Sequence, residues 1–239
     1  MHQITVCFTP VQFPNYPYEG CNAVAIDILR ATTSICTAFM NGAKEVIPIS
    51  TVDELKTHVG TDYMIAAERN GIQLDFADMG NSPYYFTSER VEGRTIAYST
   101  TNGTHTINQA AQCHSAAVGA FINISALCRW LEIGQRDVFL LCAGWKGRFN
   151  LEDSVFAGAV AQKLIDTGKF TTTCDSALAA MDLWSLAQPD LIGYIQKAAQ
   201  NERLRTIHAA DAIPFCFQFD LTDIVPIYKH GVLKGITPQ

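Results

Sequence analysis

Several short stretches of this chain hold residues whose types could do chemistry together. Asp27 and Arg30 stand at the end of one apolar run, and Glu68 and Arg69 at the end of another. Thr100-Thr101-Asn102-Gly103-Thr104 follows a third. Lys146 and Arg148 flank Gly147 after a fourth, and Glu152-Asp153 come soon after. Carboxylates beside arginines fit a hard cation held by oxygen and an anionic substrate. Oxygen-only ligands point to Mg²⁺ rather than zinc. Arginine can grip anionic oxygens in bidentate fashion, which lysine cannot. A hydroxyl- and glycine-rich turn between a strand and a helix presents backbone N–H groups to an anion.

Each feature also has a plainer account. Asp27 would serve as a helix cap, although Arg30 and the Thr32-Thr33-Ser34 run make an odd first turn for a cap alone. Glu68-Arg69 would serve as a surface ion pair of little worth. Thr100–Thr104 would serve as a tight turn, and Glu152-Asp153 as acids favoured at a helix start. Other chemistries are excluded more firmly. No Walker A loop, G-x-G-x-x-G fingerprint or G-x-S-x-G elbow is present. His2, His58, His114, His208 and His230 have no metal-ligand spacing; His105 differs only in adjoining the Thr/Asn/Gly turn.

The elements that must position these residues follow a rhythm of strand, polar loop and helix. Strands are expected at Ala23–Ile26, Val46–Ile49, Tyr63–Ala67, Thr95–Tyr98, Ala116–Ala120 and Val138–Cys142. Helical patterns separate several of them: one ends at Asn41-Gly42, one starts at Thr51 with capping-box spacing, and one runs over Ile124–Ile133. Alternation of this kind implies crossovers and a parallel or mixed sheet. Strands that are apolar throughout imply helices on both faces. The fold class is therefore α/β, a three-layer α/β/α arrangement with a largely parallel or mixed central sheet. The candidate residues would gather where strand carboxyl ends converge. Helices are expected over Glu152–Asp166, Asp175–Ala187 and Leu191–Ile207, with a short closing strand near Ile224–Tyr228. The chain reads as one domain, 1–239, whose helix-rich segment 152–210 packs on the sheet.

Composition narrows the classes further. Charged residues make up 17% of the 239 residues, against about 25% in an average chain, and 48% are hydrophobic. Disorder needs the opposite balance. A net charge of −6 argues against a nucleic-acid partner. No apolar stretch approaches the ~20 residues of a spanning helix, so no membrane partner is expected. No export signal is read at the N-terminus. The eight cysteines form no C-x-x-C pair, and reduced thiols fit a cytoplasmic location. A homo-oligomer is compatible with the sequence, which does not fix the oligomeric state.

The ordered motifs have a familiar pattern. Asp27-Ile28-Leu29-Arg30-Ala31-Thr32-Thr33, Asn41-Gly42-Ala43, Glu68-Arg69-Asn70-Gly71 and Gly80-Asn81-Ser82-Pro83 come first. Thr100–Thr104, Ala143-Gly144 with Gly147, and Glu152-Asp153 follow. Together they resemble the 2-phosphosulfolactate phosphatase family. The resemblance implies a Mg²⁺-dependent phosphatase that releases phosphate from 2-phospho-3-sulfolactate, a small anionic phospho-acid. Placed in that reaction, Asp27, Glu68 and one or both of Glu152 and Asp153 are expected to hold Mg²⁺, partly through water. Asp27, Arg30, Glu68 and Arg69 are the expected catalytic set. Asn81, Ser82 and Thr100, Thr101, Asn102, Gly103 and Thr104 are expected around the phosphate or sulfonate. One position departs from the family pattern: His105 stands where Arg usually follows the Thr-Asn-Gly-Thr segment. Whether Asp27 is a ligand or a covalent nucleophile stays open. So do a phosphatase for another phospho-acid and a non-catalytic anion- or nucleotide-binding module.

Overall fold

The computed structural model describes all 239 residues. Eleven strands form one mixed sheet, flanked by helices in a three-layer α/β/α arrangement. In chain order the strands are β1 (His2–Cys7), β2 (Asn22–Ile26), β3 (Glu45–Pro48), β4 (Met64–Arg69), β5 (Ile72–Gln73) and β6 (Thr95–Ser99). β7 (Ser115–Gly119), β8 (Val138–Cys142), β9 (Phe170–Thr171), β10 (Val225–Lys229) and β11 (Val232–Ile236) follow. Every residue of β2 and of β8 is buried, as apolar strands covered on both faces must be.

The order across the sheet is β5-β4-β6-β3-β11-β10-β7-β2-β8-β1-β9. One parallel block holds β3, β6 and β4; the other holds β7, β2, β8, β1 and β9. The antiparallel hairpin β10–β11 lies between them and is antiparallel to each neighbour. The two parallel blocks therefore run in opposite directions. On a flat sheet their carboxyl ends would lie on opposite edges. Five strand-to-strand steps separate β6 from β2. At about 20–25° of twist per step, the blocks turn toward each other by roughly 100–125°. That twist accounts for how the end of β2 meets the ends of β4 and β6.

The expected strands are all present, with differences at the margins. β1 was not expected, yet it pairs with β8 and β9 inside the second block. The strand over Ile224–Tyr228 is followed by another, β11, so the two form the central hairpin instead of a single closing strand. Its exposed residues Lys234 and Gly235 dilute the apolar pattern. β4 runs on through Glu68 and Arg69, which places both on the strand rather than in the following loop.

The helices are α1 (Ala31–Met40), α2 (Val52–Lys56), α3 (Ser88–Val91), α4 (Gly103–Ala110) and α5 (Ile124–Gly134). α6 (Leu151–Ile165), α7 (Asp175–Ala187), α8 (Leu191–Ile195), α9 (Ala199–Thr206) and α10 (Ile213–Cys216) complete the set. α6 packs on β8 and β2, and α7 packs on α6 and β1. Where one helix was expected over Leu191–Ile207, the chain breaks after α8 and restarts as α9. Ala198 is extended there, and the Ile195 carbonyl at the break accepts from Ala198 N–H and from the buried Asn201 amide, both at 2.8 Å. The restart aims α9 across the carboxyl end of β2, where Gln200 donates to Leu29 O. No helix is long and apolar enough to cross a membrane. All eight cysteines are free thiols, and seven are buried.

Candidate active site

Asp27 leaves the end of β2 and is locked into the first turn of α1. Its N–H donates to Thr32 Oγ1, its carbonyl accepts from Thr32 N, and its carboxylate accepts from Ala31 N–H. Arg30, not Asp27, occupies the position just before the helix and supplies no side-chain cap. The Leu29–Arg30 peptide is cis. The first turn of α4 comes close to Asp27 because residue 103 is glycine. A Cβ there would lie 2.4 Å from Ala31 Cβ and 2.9 Å from Asp27 Oδ2.

Asp27, Arg30, Glu68, Asn81, Asn102 and Glu152 line one deep pocket with Asn150, beneath Gln200 and Leu204 of α9. Its free space is about 20 Å³, room for one water-sized body. A larger chamber of about 430 Å³ adjoins it and shares Gly71, Trp145, Gln200 and Leu204 with it. Gly71 has a left-handed φ of 85°, and a Cβ there would collide with Ile207.

The pocket's carboxylates differ in how they are satisfied. Glu68 accepts from Thr101 N at 2.7 Å, from Thr101 Oγ1 at 3.1 Å and from Gly71 N. Asp153 is fully buried and accepts from Ile28 N at 2.8 Å, Gly144 N at 3.2 Å and Asn150 Nδ2 at 2.8 Å. It therefore ties the β2 and β8 loops together from behind and does not line the pocket. Glu152 takes one side-chain bond, from Asn150 Nδ2 to Oε1 at 3.1 Å, beside a contact with its own backbone N–H. Its Oε2 is buried with no hydrogen-bond partner, and so is Asn150 Oδ1. Two unpartnered acceptors side by side call for a donor or a cation.

The same crowding makes these groups weaker acids. Burial pushes Asp27 well above the usual carboxylate range, and the charges of Asp153 and Glu68 push it further. Burial lifts Glu152 to about 7, with the Asp27 charge adding to it. Burial and the Glu152 charge lift Asp153 to about 8. Below the pocket, burial and the charges of Asp27 and Glu68 raise the Tyr98 phenol. Its O–H donates to Asn81 Oδ1, which leaves the Asn81 amide N–H groups as the end available to a ligand.

Arg30 is 5% exposed and makes no ion pair. Its one protein hydrogen bond is a long one, 3.4 Å, to Ala209 O. A buried guanidinium without a carboxylate is an anion site in waiting. Arg69 is placed otherwise. It donates to Glu68 O at 2.7 Å, Ser99 Oγ at 2.9 Å and Ser50 O at 3.5 Å, so it braces three strand ends outside the pocket.

The Thr100–Thr104 turn is only partly open to a ligand. Thr101 N donates to Glu68, and Thr104 N donates to Thr100 Oγ1. Asn102 lines the pocket, and its Oδ1 accepts from Lys146 N at 3.2 Å. Ser82 lines a neighbouring cavity of about 290 Å³ with Arg30 and Asn81, not the deep pocket. His105 is exposed and lines neither the deep pocket nor the two cavities beside it. Phe149 is half exposed and packs edge-on against Phe8.

No three acidic, histidine or cysteine side chains converge closely enough to hold one ion directly. The oxygen set that fits a cation is smaller: Asp27, Glu152 Oε2 and Asn150 Oδ1, with water completing the shell. Mg²⁺ commonly keeps several waters and takes one or two carboxylates. Reading the sequence missed Asn150 and Arg203. Asn150 immediately precedes α6, and an Asn two residues before a Glu-Asp pair was a local signal that could have found it. Arg203 sits over the Trp145 ring, and no local pattern announces that.

A family model described as 2-phosphosulpholactate phosphatase matches residues 7–231. A protein named "Probable 2-phosphosulfolactate phosphatase" from Caldanaerobacter subterraneus subsp. tengcongensis is 36% identical over 217 residues, covering 89% of this chain and 90% of its own length. Proteins with the same name from Synechocystis and Thermotoga maritima are 36% and 35% identical. They cover 94% and 93% of this chain, and 95% of their own lengths.

Proposed function

The chain belongs to the 2-phosphosulfolactate phosphatase family, and from that premise we propose that it hydrolyses 2-phospho-3-sulfolactate to 3-sulfolactate and phosphate with the help of Mg²⁺. The observation that carries this reading is the pair of unpartnered acceptors, Glu152 Oε2 and Asn150 Oδ1, in the pocket that Asp27 and the unpaired Arg30 also line. A cation satisfies the first group and an anion satisfies the second. A phosphate monoester with its metal brings both.

Asp27, Glu152 and Asn150 would hold the ion, which when bound would supply polarisation of a phosphoryl oxygen and a more acidic water. Arg30 grips phosphoryl oxygens through its planar fork and offsets their charge, most strongly in the water-poor pocket. Asn81, oriented by Tyr98, donates a neutral hydrogen bond. Glu68 acts as a positioning residue that fixes the Thr101 and Gly71 backbones. Asp153 holds Ile28 and Gly144, and through them the loop that carries Asp27. The deep pocket takes a water or an ion but not a phosphoryl group, so α9 moves as substrate enters. The long Arg30–Ala209 contact is the easiest tie to exchange for a phosphate oxygen.

Phosphate release from 2-phospho-3-sulfolactate, measured beside a panel of other phospho-acids, tests the reading. We expect turnover with Mg²⁺, loss in EDTA and recovery on adding Mg²⁺ back. Asp27→Asn should lower kcat by on the order of 10³-fold with the circular dichroism spectrum intact. Hydrolysis that resists EDTA, or an active Asp27→Asn variant, would overturn the assignment. Faster release from another phospho-acid would move the substrate and leave the chemistry standing.

A further inference from the structure

The outer chamber has a composition that the phosphatase chemistry does not use. It carries two cations, Lys146 and Arg203, and no carboxylate, in a chain whose net charge is −6. Arg203 lies on α9 with its guanidinium carbon 4.4 Å from the centre of the Trp145 ring. Its Nε donates to Gln200 Oε1 at 2.6 Å. Gln200 in turn donates to Leu29 O, so the guanidinium is held by Trp145 on one face and by Gln200 at its Nε edge. The Nη groups of Arg203 have no protein acceptor, and Arg203 forms no ion pair, although its charge is felt by Glu152 across the shared wall. Lys146 Nζ lies 5.4 Å from the same Trp145 ring centre. It is brought there by a left-handed φ of 50° and by its N–H bond to Asn102.

We propose that this chamber is the subsite for the substrate's sulfonate, with Arg203 as the residue that selects it. The proposal rests on the phosphatase reading for the identity of the substrate. Phosphate needs Arg30 and the carboxylate-held cation in the deep pocket, which leaves the substrate's other anions to be placed. A sulfonate spreads one charge over three oxygens and is weakly hydrated. It suits a weakly hydrated guanidinium beside the apolar surfaces of Trp145, Leu204 and Ile207. The shared wall of Gly71, Trp145, Gln200 and Leu204 joins the chamber to the deep pocket, so one small molecule can span both. Because Arg203 and the roof residues Gln200 and Leu204 lie on one helix, binding the sulfonate also seats α9 over the reacting group.

Calorimetric binding of 3-sulfolactate and of lactate, which lacks the sulfonate, tests this in the Mg²⁺-loaded protein without requiring turnover. The wild type should prefer 3-sulfolactate. Arg203→Gln should weaken 3-sulfolactate by roughly ten- to hundredfold and lactate by less than about threefold. Arg203→Lys should recover only part of the loss, because the fork is gone. Lys146 is exposed, so Lys146→Met tests the same chamber without disturbing the packing of α9 and should cost a few-fold of the preference. A wild type without preference, or an Arg203→Gln protein that keeps it, would overturn the proposal. A preference that depends on Arg203 in a protein releasing no phosphate would support the subsite and defeat the phosphatase reading alone.

Discussion

Glu68 and Glu152 face the same pocket from opposite blocks of the sheet, and both are buried, at 4% and 1% exposure. Glu68 comes from β4 and takes three donors from two backbone segments. Glu152 opens α6 with one side-chain donor, one oxygen without a partner and a pKa raised to about 7. The residue type is the same and so is the depth. What differs is whether the fold has already supplied partners. A satisfied carboxylate stabilises the fold and has little left to offer a ligand. An unsatisfied one costs stability and keeps its capacity for the ligand. The contrast is between a carboxylate whose partners the fold supplies and one that keeps an oxygen for a ligand.

Paired substitutions put this contrast at risk most directly. Glu152→Gln should cut kcat by roughly 10²–10³-fold and raise the melting temperature in EDTA above about pH 7. Glu68→Gln should do the reverse in proportion. It sets an amide donor against the Thr101 or Gly71 N–H, costs about 1–3 kcal/mol of stability, and lowers activity by only about tenfold. If Glu68→Gln were the more damaging to kcat at equal folding, the two glutamates would have to exchange roles.

Smaller, and read on stability alone, is the response to pH. Glu152 and Asp153 have folded-state values raised above their ordinary ones, to about 7 and about 8. Such groups stabilise the fold most when protonated, and that contribution is lost as pH climbs through the raised values. In EDTA the melting temperature should therefore fall by about 5–10 °C between pH 5 and 8. Mg²⁺ at pH 8 should reverse the fall, because it binds the folded state in place of those protons. A flat profile in EDTA would mean that the carboxylates do not share one unsatisfied field. The smallest effect is expected at His105, the position that departs from the family pattern. Restoring arginine with His105→Arg should change kcat/KM by less than about threefold, since the side chain is exposed and outside the pocket. A large gain would bring α4 into substrate binding.

The parts of this molecule legible in its sequence are those specified locally. Asp27, Glu68 and the Thr100–Thr104 turn stand out because each ends an apolar run, and the runs are the strands β2, β4 and β6. Gly103 was legible as a turn residue, while its role in admitting the Asp27 carboxylate depends on a contact between distant segments. Relative direction was hidden for the same reason. The two parallel blocks oppose each other because Ile227 pairs with Ala117 and Leu233 with Val46, and no local pattern records those partners. Arg69 looked like a substrate clamp from its neighbour Glu68, yet Ser99 and Ser50 take up its donors. Arg203 lies in the polar run Gln200–Arg203, where nothing distinguishes it from a solvated helix face until Trp145 is seen beneath it.

The β10–β11 hairpin bears on how the molecule is made. Both blocks of the sheet precede it in the chain, and with them come Asp27, Glu68 and Glu152. As the chain is synthesised, each block can collapse on its own helices, but nothing yet joins them edge to edge. The seam strands arrive after every residue of the pocket, and their pairing with β7 and β3 closes long loops in one late step. Until then both inner edges stand open to any other strand, including one from a neighbouring chain. The moment at which Glu68 and Asn81 first meet Asp27 and Glu152 is thus also the moment at which the two inner edges are covered.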